Sequence, residues 1–388
     1  MKIAFMTVHR TKNYGSALLC YATQCIFEKH GFDVEFIDYA RMQSNEVDTI
    51  HDFFLSKMSG KRGRKLKDLA HFIIDFPAGL RMIRAFVPFR EKYLRLSEIC
   101  YRDNEQLLKN SPPIADIYCT GGDQMWNEQY NFHRTLKPFY LDFAPEGAPR
   151  VSFSTSIGKE CFDEWEIQEV VPLLKKYKCI SVREESAANS LTGLGMKNVA
   201  HIQDPTFLIN CAAWDELAAP RLIKEPYILL YKFVSNEVLE CRLREFANKT
   251  NRTIYYIKNF SKKILPERKN VFVLPEPEKF LSLIKYADYV VTDSFHGTVF
   301  SIKFKKQFIS VFANHSTRLD SILSVCGLKD RRYVEDGDIE SQLERFIDYD
   351  KVDVVWGKER EKADAWIENI KSLVQDNCTG DANEGECL

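Results

Sequence analysis

His296 lies in TDSFHGTVFS (292–301), directly after the apolar run Tyr289-Val290-Val291 and before a helix-like segment. An imidazole at such a junction would sit beside the N–H groups of Gly297, Thr298 and Val299 at a helix N-terminus. That combination is an anion site with a titratable group next to it. Arg183 lies in ISVREES (180–186), where another apolar run gives way to a helical pattern. A guanidinium there matches a carboxylate or a phosphate; the plainer alternative is an ion pair with Glu184 or Glu185. Three more stretches carry polar groups at similar junctions. In NYGSALL (13–19), Asn13 and Ser16 could bond a sugar hydroxyl or a carboxylate, or cap a helix after a turn at Gly15. In TGGDQMWN (120–127), two glycines allow backbone to approach a ligand, and Asp123, Gln124, Trp126 and Asn127 crowd one loop. Trp126 could offer a flat apolar face to a sugar, or pack in the core. SFSTSIG (152–158) ends in small hydroxyls and a glycine, which suit either an anion pocket or a turn. The chain has no H-E-x-x-H, no P-loop and no G-x-G-x-x-G, so a metal site is not expected.

These junctions need strands and helices to hold them. Strand-like runs (2–8, 33–38, 151–155, 179–182, 199–203) alternate with helical patterns at 16–29, 163–177 and 184–193. The rhythm repeats from Pro226 onward, with strand-like 226–234, 253–258, 271–275, 289–292 and 307–312. The fold class expected is α/β, with two Rossmann-like doubly wound domains facing a cleft. Ligands of such sheets bind beyond the carboxyl ends of the strands. The first domain is set at 1–210, with a helical insertion at about 45–110, and the second at 211–350. A closing helix follows at 351–376 and a flexible tail at 377–388. Asp204-Pro205 reads as part of a hinge between the domains. Between Lys57 and Arg95 the insertion has eleven Lys/Arg against three Asp/Glu, interleaved with aromatic and aliphatic residues. It reads as a solvated basic face or as a surface for an anionic lipid.

Composition narrows the function classes. The chain is 45% hydrophobic and 28% charged with a net charge of −1, which argues against a general nucleic-acid-binding protein. No apolar run reaches the length of a membrane span. MKIAFMTVHR reads as a buried first strand rather than a signal peptide, so a cytoplasmic protein is expected, at most lying against the inner face of the membrane. The eleven scattered cysteines, with no C-x-x-C pair, read as small apolar residues in a reducing compartment.

Taken in order, NYGSALLCYA, GGDQMWN, SFSTSIGKE, ISVREES, IQDPTFLI and TDSFHGTVFSIKF span residues 13–304. Together they resemble the polysaccharide pyruvyl transferase family. The chain departs from many members in carrying Ser294 where they have an arginine. The resemblance implies a two-domain fold like that of GT-B glycosyltransferases. It also implies transfer of the enolpyruvyl group of phosphoenolpyruvate to a sugar of a bacterial surface polysaccharide or its lipid-linked precursor. Phosphoenolpyruvate is the donor substrate and no cofactor is implied. Carried onto this sequence, the donor would meet Arg183, Ser294, His296, Gly297 and Thr298. The acceptor would meet Asn13, Tyr14, Gly15, Ser16, Gly122, Asp123, Trp126 and Asn127. His296 would act as acid/base, Arg183 as anion clamp and Asp123 as the base for the acceptor hydroxyl. Two other readings share the sequence: a GT-B-type glycosyltransferase using a nucleotide sugar, and a non-catalytic scaffold docked through residues 57–95.

Overall fold

The computed structural model describes residues 1–41, 46–58, 65–109, 112–128, 137–259, 268–312 and 317–380. Seven parallel strands form the first sheet: β1 (Lys2–Met6), β2 (Asp33–Tyr39), β3 (Leu96–Tyr101), β4 (Ile117–Thr120), β5 (Arg150–Ser152), β6 (Tyr177–Val182) and β7 (Val199–His201). Their spatial order is β3-β2-β1-β4-β5-β6-β7. Five parallel strands form the second: β8 (Tyr227–Tyr231), β9 (Thr253–Lys258), β10 (Val271–Val273), β11 (Tyr289–Thr292) and β12 (Gln307–Ser310), in the order β10-β9-β8-β11-β12. Central strands such as YILLY (227–231) are buried along their whole length, because helices cover both faces of a parallel sheet. The expected pair of Rossmann-like sheets facing a cleft is present. One strand lies where the sequence suggested only helix: β3, inside the insertion, is the edge of the first sheet, paired with β2.

The helices in chain order are α1 (Tyr14–Lys29), α2 (Ile50–Met58), α3 (Lys65–Tyr93), α4 (Asn104–Lys109), α5 (Glu164–Leu174), α6 (Glu185–Gly193), α7 (Pro205–Leu208), α8 (Cys211–Leu217), α9 (Glu237–Lys249), α10 (Pro277–Lys285), α11 (Phe295–Lys303), α12 (Thr317–Val325), α13 (Ile339–Glu344) and α14 (Tyr349–Gly380). Two of them join the sheets. α1 buries Tyr14, Ala17, Leu18 and Ala22 in one apolar cluster with Phe280, Val299 and Phe300 of the second half. α14 leaves the second half and packs Ala363, Ile367 and Ile370 against Ile3, Phe5 and Val151 of the first sheet. The strands and helices therefore hold the two sheets against each other through apolar burial, the dominant favourable term in folding. No helix among the described residues is long and apolar enough to cross a membrane. The final residues, 381–388, lie outside the described residues.

Candidate active site

In each sheet the strand order reverses once. The reversals lie between β1 and β4 and between β8 and β11. Such switch points open a crevice at the carboxyl ends of the strands. Here the two crevices face each other and form a cleft of about 400 Å³. After β1 it is lined by Val8, Thr11, Asn13 and Ser16; after β4, by Asp123 and Gln124. The second half contributes Phe233 after β8 and Asp293 to His296 after β11. Arg41, after β2, and Arg318, on α12, supply guanidinium groups.

A chain of alternating charge runs beneath the cleft. Arg183 Nη1 donates to Asp204 Oδ2 at 2.5 Å, Arg183 Nε to Glu184 Oε1 at 3.3 Å, and Arg183 Nη2 to Asp123. Arg318 Nη1 donates to the same Asp123 oxygen at 2.7 Å. At the other end, His296 Nε2 lies 3.8 Å from Asp204 Oδ2. That separation is an electrostatic contact and too long for a hydrogen bond. His296 is 5% exposed, and its Nε2 has no hydrogen-bond partner among the described residues. The series His296–Asp204–Arg183–Asp123–Arg318 thus begins and ends on residues that line the cleft. Burial alone would raise the Asp123 pKa, but the Coulomb pull of Arg183 and then Arg318 holds it well below the usual carboxylate range. Asp204 is raised by burial and lowered further by His296 and Arg183, with the same net direction.

The structure corrects several roles expected from the sequence. Arg183 is 3% exposed and its guanidinium is committed to three carboxylates, so it is a buried hub rather than an open anion clamp. Asp123 lines the cleft, but as a carboxylate held ionised between two guanidinium groups it is a poor base. Helix α11 begins at Phe295, two residues earlier than the glycine suggested, with Ser294 as N-cap. Ser294 Oγ accepts from Gly297 N at 3.2 Å and Ser294 O accepts from Thr298 N at 2.9 Å, so neither amide is available to an anion. Thr298 itself is fully buried, its Oγ1 2.7 Å from Ser310 Oγ. The amides of Phe295 and His296, in the first turn, meet no acceptor among the described residues, as the opening amides of a helix do.

The acceptor side is corrected in the same way. Trp126 is a core residue: its ring stacks on Tyr140 at 5.4 Å and its Nε1 donates to Phe139 O at 2.9 Å. Tyr14 is also buried. It stacks on Phe280 at 4.1 Å, and its hydroxyl donates to Pro275 O at 2.7 Å, so it ties the two halves together. Asn127 is buried and its Nδ2 donates to Gln124 Oε1 at 2.7 Å, which makes it a support for the cleft residue Gln124. Gly122 adopts φ +145°, and a Cβ there would come 2.8 Å from Thr7 Oγ1, so it serves the turn after β4 rather than a ligand. Asn13 and Ser16 do line the cleft, with Asn13 Oδ1 accepting from Gly15 N at 2.7 Å as the cap of α1. Gly15 is not on the lining. A Cβ at Gly15 would overlap the imidazole of His296, so this glycine is what lets the second half's histidine seat against the first half.

Five polar cleft or network residues have no counterpart among the expected site residues: Thr11, Arg41, Asp204, Asp293 and Arg318. Asp204 has a local signal in the sequence, the Asp-Pro step, which fits more than a hinge. Asp followed by Pro is also an N-cap with proline at N1, and Asp204 Oδ1 does accept from Thr206 N at 2.9 Å. Asp293 accepts from Phe233 N at 2.8 Å and Val234 N at 2.9 Å, fixing the loop after β8. Burial pushes the Asp293 pKa up in spite of those bonds. Away from the cleft, Glu128, Asp163 and Glu166 bring carboxylate oxygens within 4.8 Å of one another. Lys159 Nζ already sits among them, 2.7 Å from Glu128 Oε2 and 3.4 Å from Asp163 Oδ2, and bonded to Glu166. The ammonium fills the place a metal ion would take.

A family model described as polysaccharide pyruvyl transferase matches residues 13–316. The chain belongs to the polysaccharide pyruvyl transferase family, and so to a family of transferases of polysaccharide biosynthesis. No curated protein matches it by sequence. Among solved structures, it is similar to a UDP-GlcNAc 2-epimerase from Neisseria meningitidis bound to UDP-GlcNAc, with 11% identity, 94% of each chain covered and a TM-score of 0.48. It is also similar to a UDP-GlcNAc 2-epimerase from Methanocaldococcus jannaschii, with 14% identity, 93% of this chain and 94% of that one covered, and a TM-score of 0.45. A glycosyltransferase involved in avilamycin A biosynthesis matches with 12% identity, 97% and 98% coverage and a TM-score of 0.47. The assignment of two Rossmann-like halves rests on the strand orders above rather than on these likenesses.

Proposed function

We propose that the cleft transfers the enolpyruvyl group of phosphoenolpyruvate onto two hydroxyls of a sugar, forming a pyruvate ketal and releasing phosphate. The observation that carries this reading is His296 in the first turn of α11: the residue lines the cleft, while its buried Nε2 makes no hydrogen bond among the described residues and lies 3.8 Å from Asp204 Oδ2. The donor carries a phosphate and a carboxylate close together. Arg318, which shares Asp123 with Arg183, and the amides of Phe295 and His296 offer complementary positive charge on that wall, with Arg41 beside them paired to Glu46. In the reaction, C3 takes a proton and C2 bonds to the first hydroxyl oxygen. The second hydroxyl oxygen then attacks C2, the C2–O bond to phosphate breaks, and the phosphate leaves with that hydroxyl's proton. His296 is assigned the proton to C3, and it takes up the proton that the first hydroxyl loses as its oxygen bonds to C2, so the imidazole ends as it began. Asn13, Ser16, Thr11 and Gln124 are the hydrogen-bonding groups left for the acceptor. Asp123 balances Arg318 rather than abstracting a proton. The acceptor is a sugar of a surface polysaccharide or its lipid-linked precursor, and the reaction belongs to the cytoplasmic side of the membrane.

The test incubates the protein with phosphoenolpyruvate and a panel of lipid-linked and model glycosides. Phosphate release is followed, and products are weighed for an added pyruvyl group. A pyruvylated glycoside formed together with phosphate is expected. If no acceptor gains mass, and a nucleotide sugar raises Tm while phosphoenolpyruvate does not, glycosyl transfer replaces this reading. If neither donor stabilises the protein and no phosphate is released, a scaffold role replaces both.

A further inference from the structure

The cleft is polar on almost every side and has one open aromatic face. Among the described residues that line it, Val8, Phe233 and Phe295 are apolar and the rest are polar or charged. Phe295 is 8% exposed, and the Arg183 guanidinium lies over its ring at 4.9 Å, so that ring is already covered. Phe233 is 57% exposed. Side chains on exposed loops are ordinarily free to move. This one is held. Asp293 Oδ1 accepts from Phe233 N at 2.8 Å, and Asp293 Oδ2 accepts from Phe233 N and Val234 N, both at 2.9 Å. The Phe233 ring packs on Tyr231 with centroids 5.5 Å apart. Tyr231 is buried and meets Phe280 at 5.1 Å, and Phe280 stacks on Tyr14 at 4.1 Å. Phe233 is therefore the outer end of a row of rings that runs from the joint between the two halves to the cleft. An apolar ring kept in water on a fixed backbone marks a contact surface.

We infer that Phe233 is the platform on which the sugar ring of the acceptor stacks, and that Asp293 positions it. The inference rests on the reading above in one respect, that the acceptor is a sugar. The lining of the cleft selects that occupant. A pyranose carries hydroxyls around its rim and C–H groups on a face, so it asks a site for several hydrogen-bonding groups and one flat apolar surface. Thr11, Asn13, Ser16 and Gln124 line the same cleft and supply the first. Phe233 supplies the second, and the negative face of its ring attracts the C–H groups of a sugar. The sequence suggested Trp126 for this part, but that ring is buried against Tyr140. Phosphoenolpyruvate is small and highly charged and gains nothing from such a surface, so Phe233 bears on the choice of acceptor. Asp293 acts through Phe233, because its carboxylate is bonded to the amides that carry the ring.

Saturation-transfer difference NMR on the full chain tests it, with the methyl glycosides of galactose, glucose and mannose as probes. At least one probe is expected to take up saturation at its ring C–H protons, and Phe233→Ala should weaken its affinity about tenfold. Phe233→Trp keeps a flat face and should hold the affinity within about threefold, while Phe233→Leu, apolar but not flat, should not. Asp293→Ala should weaken binding by a similar factor, and adding it to Phe233→Ala should cost little more. Val238→Ser is the control: Val238 is 47% exposed and off the cleft lining, and binding should not change. No transfer to any probe on the wild-type chain overturns the inference, as does a Phe233→Ala chain that binds like wild type or a Val238→Ser chain that loses as much. Transfer to the base protons of uridine diphosphate that Phe233→Ala abolishes, with none to the glycosides, overturns it too and gives the ring to a nucleotide. If Phe233→Ala melts early, equal affinities of the Trp and Leu variants overturn it instead. Binding is measured without transfer, so the two readings fail separately. A chain that stacks a glycoside on Phe233 but makes no pyruvylated product loses the transfer reading and keeps the platform. A chain that pyruvylates a glycoside with the same KM with and without the Phe233 ring loses the platform and keeps the transfer reading.

Discussion

Two strand-to-helix junctions of the molecule look alike in sequence and differ in the structure. At the end of β6, Arg183 is surrounded by Asp204, Asp123 and Glu184, and every polar contact it makes is internal. At the end of β11, His296 is equally buried, yet its Nε2 makes no hydrogen bond among the described residues and only a 3.8 Å electrostatic contact with Asp204. A buried polar group left open costs stability, so open groups are informative where closed ones are not. The first junction is closed on itself, and the second is the one proposed to receive the donor. Burial and charge alone do not separate a scaffold arginine from a ligand-binding one; the completeness of the hydrogen bonding does.

Replacing His296 gives the largest expected effect. His296→Ala should lower kcat about 10²- to 10⁴-fold with a normal melting curve, read by phosphate release from phosphoenolpyruvate in the presence of acceptor. Near-normal turnover would remove the distinction between the junctions. Arg183→Met should act chiefly on stability, by about 3–5 kcal/mol in urea unfolding, since three carboxylates would lose their buried partner. Its acid response follows from the same network. Asp123 and Asp204 have folded-state pKa values below their unfolded ones, so the unfolded chain takes up protons first as pH falls through about 4. Wild-type stability should be full above that pH and fall below it, and Arg183→Met should flatten that slope. A substitution that left stability intact but abolished donor binding would make Arg183 a ligand residue after all.

A smaller effect is expected at the seat of the imidazole. Gly15→Ala places a methyl group where the His296 ring lies and should cost about 10² in kcat by displacing it. Combined with His296→Ala, it should cost little more. Additive losses would show that Gly15 acts elsewhere. The smallest effect is at Arg318, whose side chain is 24% exposed and pairs with Asp123 at the cleft wall. Arg318→Ala should raise KM for phosphoenolpyruvate about tenfold and lower Tm only modestly, because Asp123 keeps its buried partner Arg183. An unchanged KM would leave the donor's anions to Arg41 and the α11 amides.

The alternation of strands and helices was legible because buried parallel strands are short apolar runs and their crossovers have helical spacing. β3 was not: LSEICY (96–101) is an edge strand with exposed residues among buried ones, placed after a long helix in a basic stretch. The junctions themselves were legible, and Asn13, Ser16, Asp123, Ser294 and His296 all lie on one cleft. What each side chain does there was not. Nothing local to TGGDQMWN says that Trp126 meets Tyr140 from the 3₁₀ turn that follows, and nothing near Arg318 says that it crosses to Asp123, 195 residues away. Both depend on how the chain returns. The start of α11 differs from the sequence expectation for a local reason: Gly297 suggests a boundary, while Ser294, three residues earlier, is the better cap.

The contact between Gly15 and His296 makes the imidazole's position a property of two sheets at once. Gly15 belongs to the first turn of a helix after β1, and His296 to the first turn of a helix after β11. If one sheet rocks away from the other, the ring loses the surface that fixes it, whatever happens to its own helix. Chemistry at the ring would then be conditional on closure, and a donor that entered an open cleft would wait for the acceptor-side wall to arrive before any proton moved.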